Sequence, residues 1–322
     1  MNTRSICIAT VTRNRPLMLR NLYHSLSNIA DIQEYRISFL IVENNQTATL
    51  HDVVQDIINT CNLRLEYIVE NDIGISFARN RAIEYAIANR HDFLIFVDDD
   101  EFVDPDWLAN LLARQEKSDL DLVGSLVLPK PFSDDLTWQQ CLVWRSIECH
   151  SARTETRHRK LCEQGLDHRI KIATGSWLGR IAFFEETGLR FDTGLGLSGG
   201  EDWKLFHEAQ AQGAKTGWAP DAIVYETVPA TRLKFSYQFK RNRDHANTQF
   251  WLLYRRNPRK ALLKWPLYFI IRSLKFLLAV LAIPFTGGRS ILSASKSLGA
   301  IIGLIDCLKG HRTHHYNTIY GN

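Results

Sequence analysis

The stretch Phe93-Leu94-Ile95-Phe96-Val97, ending in Asp98-Asp99-Asp100, constrains this chain more than any other feature. A short run of large and β-branched apolar residues reads as a strand buried on both faces, as in a parallel sheet. The carboxyl end of such a strand is where open α/β sheets bind their ligands. Three adjacent carboxylates repel one another, so something positive is expected beside them. A hard divalent cation meets that need, because Mg²⁺ takes one or two carboxylates and completes its shell with phosphate oxygens and water. The plain alternative is an acidic turn in water.

The residues around this run alternate between strand and helix patterns. Ser5–Val11 reads as a strand, Pro16 as the first position of a helix carrying Leu19, Leu22, Tyr23 and Leu26, and Ile37–Val42 as a second strand. Leu50, Val53, Val54, Ile57 and Ile58 mark a helix, Leu63–Val69 a third strand, and Phe77–Ile87 a helix leading into Phe93. This order predicts a parallel sheet with right-handed crossovers. Asp104-Pro105 is expected to cap a helix bearing Trp107, Leu108, Leu111 and Leu112. Leu122–Leu128 reads as another strand, and 130–170 as polar and irregular. Ile172–Phe184 is expected to return to the sheet, and Ile223–Tyr225 to be a last short strand.

With 322 residues, 45% of them apolar, the chain can bury a sizeable core. No apolar leader is apparent after Met1, so a secretory signal is not expected. The six cysteines include no CxxC pair, and the expectation is free thiols in a reducing compartment. A zinc set of Cys141, Cys149, His158 and Cys162 has weak spacing for that metal.

The net charge of +4 conceals an asymmetry: residues 231–322 carry +14 and residues 1–230 carry −10. In the tail, Lys260, Lys264, Tyr268, Arg272 and Lys275 recur at helical spacing within an otherwise apolar stretch running to Phe285. An amphipathic helix lying on an anionic membrane surface is expected, since central cations are expensive in a spanning helix. The alternative is a helix packed on the protein's own core with snorkelling cations. A second amphipathic stretch, Ile291–Leu308, contains Gly299-x-x-x-Gly303, a spacing that permits close helix packing.

A second acidic centre is Glu201-Asp202, preceded by Gly199-Gly200 and followed by Trp203, Leu205 and Phe206 at helical spacing. Glycines permit a tight approach of backbone to ligand. An ionised aspartate at a helix start can take a proton from a substrate hydroxyl within hydrogen-bond reach. Ordinary helix capping explains the same residues.

Taken together, the motifs resemble those of family-2 glycosyltransferases with the GT-A fold. The matching pieces are Ile8–Pro16, Ile41-Val42-Glu43-Asn44-Asn45, Asp72-Ile73-Gly74 followed by Ala78-Arg79-Asn80, Asp98-Asp99-Asp100 as a DxD motif, Ala173-Thr174-Gly175-Ser176, and Gly200-Glu201-Asp202 as an ED motif. The resemblance implies a Rossmann-like, mostly parallel mixed sheet with helices on both faces, followed by a basic helical tail. It divides the chain into a nucleotide-sugar-binding half (1–120), an acceptor-binding half of the same domain (121–230) and a membrane-associating tail (231–322).

For the site, the resemblance implies donor contacts from Thr10, Thr12, Arg13, Glu43, Asp72, Arg79, Asp98 and Asp99, with Glu43 near the base. Asp98 and Asp100 would hold Mg²⁺ or Mn²⁺, with Glu226 standing where the family often has histidine. Asp202 would be the general base, and Gly200, Glu201, Trp203 and Arg241 would lie on the acceptor side. The implied donor is a nucleotide-diphosphate sugar, a UDP-sugar first. The implied acceptor is a saccharide or lipid-linked saccharide, as in bacterial exopolysaccharide (succinoglycan-type) or lipopolysaccharide assembly, at the cytoplasmic face of the membrane. Gln238-Phe239-Lys240-Arg241 is half of the QxxRW motif of processive members, which favours transfer of a single sugar.

Two other function classes remain open at this level. A metal-dependent nucleotidyltransferase would use the same cation and phosphates but leaves Glu201-Asp202 without a task. A nucleic-acid-binding protein would use the basic tail with Trp251 and Tyr254. The negative charge of residues 1–230 opposes that, so no nucleic acid is expected.

Overall fold

The computed structural model describes residues 3–30, 32–172, 175–195 and 200–311. Eight strands form one sheet: β1 (Arg4–Thr12), β2 (Tyr35–Asn44), β3 (Leu65–Glu70), β4 (Phe93–Val97), β5 (Glu101–Val103), β6 (Leu122–Pro131), β7 (Ser176–Arg180) and β8 (Thr216–Val228), in the order β3-β2-β1-β4-β7-β6-β8-β5. The first four are parallel, as the alternating pattern predicts, while β7 runs antiparallel between β4 and β6. One continuous mixed α/β sheet therefore carries residues from both sides of position 120.

Ten α-helices are described: α1 (Pro16–Leu26), α2 (His51–Cys61), α3 (Ile75–Ala88), α4 (Trp107–Ser118), α5 (Trp138–Glu163), α6 (Ile181–Thr187), α7 (Glu201–Ala211), α8 (Phe235–Arg256), α9 (Pro258–Leu281) and α10 (Ser290–Leu308). Side chains alternate across a strand, so β1 sends Ile6 and Ile8 to one face and Cys7 and Ala9 to the other. The first face packs against α1, α2 and α4 through Leu19, Leu22, Val54, Ile57, Leu108 and Leu111. The second packs against α3, α6 and α7 through Ala82, Ile83, Phe184, Leu205 and Phe206. All five residues of β4 are buried, which places the three aspartates at the centre of the sheet's carboxyl edge.

Several sequence expectations are corrected. Residues 138–163 form a 26-residue helix with a capping box between Thr137 and Gln140. Only Val143 of that helix is buried, so it lacks the apolar stripe that periodicity detects. Cys141, Cys149, His158 and Cys162 all lie along this one helix, too far apart to share an ion, and no His/Cys/Asp/Glu metal cluster occurs among the described residues. The fourth helix starts at Trp107 with Asp106 at its cap, not Asp104-Pro105. The sheet segment after Ile172 is only Ser176–Arg180, followed by α6, whereas the last strand extends to thirteen residues.

The tail is three packed helices. A Cβ on Gly299 would lie 2.3 Å from the Phe239 carbonyl oxygen, and one on Gly303 would lie 2.1 Å from that of Arg243. The two glycines thus let α10 rest directly on the backbone of α8.

Candidate active site

The acids at the end of β4 are held by three arginines. The Arg15 guanidinium, just after β1, donates through Nη1 to Asp99 Oδ1 at 2.7 Å and to Asp100 Oδ2 at 3.3 Å. Thr12 Oγ1 donates to Asp99 Oδ2 at 2.8 Å. Arg232, in the turn between β8 and α8, donates through Nη2 to Asp100 Oδ2 at 2.9 Å and through Nη1 to Glu226. Its own carbonyl accepts from Gln238 Nε2 at 2.8 Å, so the glutamine of the half-motif shapes this turn.

The third arginine joins the two acidic centres. Arg79 is 2% exposed. It donates through Nη2 to Asp98 Oδ1 at 3.2 Å and through Nη1 to Glu201 Oε1 at 2.8 Å, with its guanidinium over the Phe191 ring. Its neighbour Asn80 exchanges two hydrogen bonds with the Phe191 backbone, at 2.8 and 2.9 Å. Residues far apart in sequence are thereby drawn into one cleft.

Asp202 follows Glu201 at the start of α7, where Gly200 takes φ +91°, a conformation costly for residues with a Cβ. Its Oδ1 accepts from the Trp203 backbone at 2.7 Å, and its Oδ2 lies 4.0 Å from Lys171 Nζ. The Asp202 side chain is about a fifth exposed (22%) and therefore open to an acceptor. Trp203 is 44% exposed beside it. Gly175 accepts from the Asp98 backbone at 3.0 Å, and a Cβ there would meet Glu101 Oε1 at 2.4 Å. Ala173, Thr174 and Gly199 lie outside the described residues.

Two proposed donor contacts are corrected. Thr10 is fully buried under α1 beside Tyr23, out of reach of a ligand. Glu43 is also fully buried, and both its carboxylate oxygens are taken by Thr49, Leu50 and Tyr67. Burial pushes the Glu43 carboxyl up, but the bonds from Thr49 and Tyr67 outweigh it and hold the pKa below the usual value. Glu43 therefore builds the loop after β2 instead of offering an acceptor to a base. Arg13 is half-buried, while Asp72 and Arg241 are exposed.

Three charged residues of the cleft escaped the sequence reading. Arg15 stands immediately before Pro16, and Arg232 looks like any other cation of the basic tail. Glu101 is 3% exposed and faces Glu226 across the β5–β8 ladder. For Glu101 the available signal was a fourth acid directly after the DxD motif, at the start of the next strand.

The electrostatics favour a further cation. Six carboxylates (Asp98, Asp99, Asp100, Glu101, Glu201, Glu226) face three guanidiniums. Burial raises the pKa of Asp98, opposed by Arg79 and assisted by Asp100 and Asp99. Burial also raises Glu101, assisted by Asp98 and Asp100. Among the described residues no group of side chains cages an ion by itself; Mg²⁺ or Mn²⁺ commonly shares one or two carboxylates with substrate phosphates and water. The carboxylates fit such a cation: Asp98 and Asp100 are the pair that would hold it, and Glu226 adjoins Asp100 through Arg232.

The family model described as glycosyl transferase family 2 matches residues 7–183, more than half of the chain. The chain belongs to glycosyl transferase family 2. The transferase is 28% identical over 244 residues to the succinoglycan biosynthesis protein ExoM of Rhizobium meliloti (strain 1021), covering 74% of this chain and 72% of that protein. Among solved structures it resembles the Pyrobaculum calidifontis mannosyltransferase PcManGT in complex with GDP-Man and Mn²⁺, with TM-score 0.61, 13% identity and coverage of 94% and 86%. It also resembles GalNAc-T7 with UDP, GalNAc and Mn²⁺, with TM-score 0.51 and 18% identity, covering 70% of this chain but only 44% of that one. At these identities the structural matches speak for the GT-A fold.

Proposed function

We propose that this transferase moves one sugar from a nucleoside-diphosphate sugar, a UDP-sugar first, to a saccharide or lipid-linked acceptor, inverting the anomeric carbon. The single observation behind this reading is the Arg79 bridge, which sets the ED motif beside the DxD motif. A nucleotidyltransferase would have no task for the second centre.

Asp202 takes the proton from the acceptor hydroxyl. The hydroxyl oxygen then bonds to the anomeric carbon from the side opposite the departing nucleoside diphosphate, and the glycosidic C–O bond to phosphate breaks. A divalent cation on Asp98 and Asp100 supplies Lewis-acid stabilisation of the leaving diphosphate when bound. Arg15 and Arg232 keep the neighbouring carboxylates oriented, and Arg79 sets the spacing between the two centres.

The tail supports placement at the inner membrane face. Ala261, Trp265, Phe269, Phe276 and Ala279 turn α9 toward α8 and α10, while Leu263, Leu267, Ile270, Leu274, Leu277, Leu278 and Leu281 are more than half exposed. At about 100° per residue, Lys260, Lys264 and Lys275 fall on the flank between those faces. An exposed apolar arc beside a cationic flank matches a helix seated in an anionic interface.

The deciding experiment incubates the purified chain with a panel of nucleotide sugars, membrane extract and Mn²⁺ or Mg²⁺, then analyses the products. Release of nucleoside diphosphate with sugar incorporation, lost in EDTA and restored by the cation, is expected. Release of pyrophosphate points to nucleotidyl transfer instead, and undiminished turnover in EDTA removes the cation from the scheme.

A further inference from the structure

Helix α8 forms a wall along the acceptor side of the cleft. Near its start, Arg241 acts electrostatically on Glu226; one turn later, His245 feels Asp202. Further on, Leu252 lies 4.0 Å from where a side chain on Gly200 would begin, and Arg255 acts on Asp192. The helix thus runs past the whole ED segment.

The side chains gathered there are nearly all cationic. Arg241 and His245 are four residues apart and share one face of α8. Lys171 approaches from across the cleft, 4.0 Å from Asp202 Oδ2. Lys296 comes from α10, whose Ser295 Oγ donates to the Phe235 carbonyl at 3.1 Å, and Arg272 comes from α9. Among the described residues, no acid lies within ion-pair distance of Arg241, Lys296 or Arg272. The groups repel one another: burial and Arg241 lower Lys296, and loss of hydration, then Arg241 and Lys171, lower His245, with Asp202 opposing. Burial and Lys296 likewise lower His150 of α5. Lys171 has Asp202 at the edge of ion-pair distance, whereas Arg241, Lys296 and Arg272 are left with no acid beside them among the described residues.

We propose that Arg241, His245, Lys171 and Lys296, with Arg272, form an anion subsite that receives the phosphate of a membrane-anchored acceptor while its sugar hydroxyl meets Asp202. Arg272 decides between a soluble and a lipid source. It lies on the face of α9 turned toward α8, opposite the arc of exposed leucines, so one helix carries both a wall of the subsite and the surface assigned to the bilayer. A phosphate at the headgroup level would sit between that surface and the ED motif. The proposal rests on the transferase reading for the role of Asp202 alone; the charge cluster stands without it.

The test measures binding of octyl phosphate, below its micelle concentration, to the full chain in EDTA, so that a cation-dependent donor site is not offered. Octanol and inorganic phosphate are the comparison ligands. Octyl phosphate is expected to bind, to weaken as salt rises, and to lose at least tenfold in affinity in the Arg241→Ala/Lys296→Ala double variant. The Asp100→Asn variant, altered on the donor side, is expected to bind as the wild type does. Equal binding of octanol overturns the anion subsite, and equal binding of inorganic phosphate overturns the lipid source. Unchanged affinity in a folded double variant overturns the residue assignment; should that variant not fold, absence of salt dependence in the wild type does so. Donor cleavage without octyl phosphate binding removes the subsite and leaves the transferase reading, whereas binding without donor cleavage by any nucleotide sugar does the reverse.

Discussion

Arg79 and Glu201 are paired at 2.8 Å in the interior although 122 positions separate them in the chain. The remaining arm of the same guanidinium holds Asp98. Glu201 Oε2 is buried without a hydrogen-bond partner, so Arg79 is the main compensation for that carboxylate. Burial raises the Glu201 pKa, and Arg79 opposes the shift.

Removing one partner of a buried ion pair strands the other charge. Arg79→Ala is therefore expected to cost about 3–5 kcal/mol in denaturant unfolding. Arg79→Lys keeps the charge but lacks the fork that spans both acids, so activity should fall more steeply than stability. A lysine variant with wild-type turnover would show that the two centres are spaced by something else.

Asp202→Asn removes the proposed base with little change of volume. Turnover is expected to drop about 10²–10⁴-fold. Donor binding should persist, because the acids and arginines at the end of β4 are untouched. Calorimetric titration of donor beside product formation separates the two effects; a variant that turns over normally moves the base elsewhere.

Deleting the tail would be a poor test of membrane binding, because α10 lies against the backbone of α8 and α8 borders the cleft. Point changes on the exposed arc of α9 avoid this. Leu263→Glu, Leu274→Glu and Leu278→Glu replace side chains that are 81%, 54% and 56% exposed. Each leucine buried in a bilayer contributes roughly 1.5–3 kcal/mol, so the triple variant should lose more than a hundredfold in partitioning to anionic vesicles. Its melting temperature in solution should stay close to the wild-type value. Equal sedimentation with vesicles would contradict the interfacial placement.

His158 lies edge-on to Trp218 at 4.9 Å, with Nδ1 buried and unbonded. Burial, then Arg157, lowers its pKa below the ordinary 6.5. The unfolded chain therefore binds this proton more readily. The contribution to stability is complete above about pH 6.5 and is lost as pH falls toward the folded value. His158→Phe removes the titration but keeps a ring on Trp218. Melting temperatures at pH 7.5 and 5.5 should show a smaller acid-side decline in the variant than in the wild type; an equal decline would assign the pH response to other groups.

Local pattern was enough to locate β4 and its three aspartates, because a strand buried on both faces must be apolar throughout and its ligand end must carry the polar residues. The same holds for Pro16 opening α1 and for Gly200 opening α7. The glycine pair of α10 was legible as a packing signal, although the partner backbone at Phe239 and Arg243 was not. Helix α5 escaped because a helix burying only one side chain carries almost no apolar period, and its one local mark was the Thr137–Gln140 cap.

The sequence by itself determined the alternating α/β order, the family motifs and the uneven charge of the tail, since these are properties of neighbouring residues. Only the tertiary structure decided which charges meet. It gave Asp99 to Arg15 and Thr12, Asp100 and Glu226 to Arg232, Glu201 to Arg79, and Glu43 to its own loop. Ion pairing depends on distance in space and on burial, and a linear sequence carries neither.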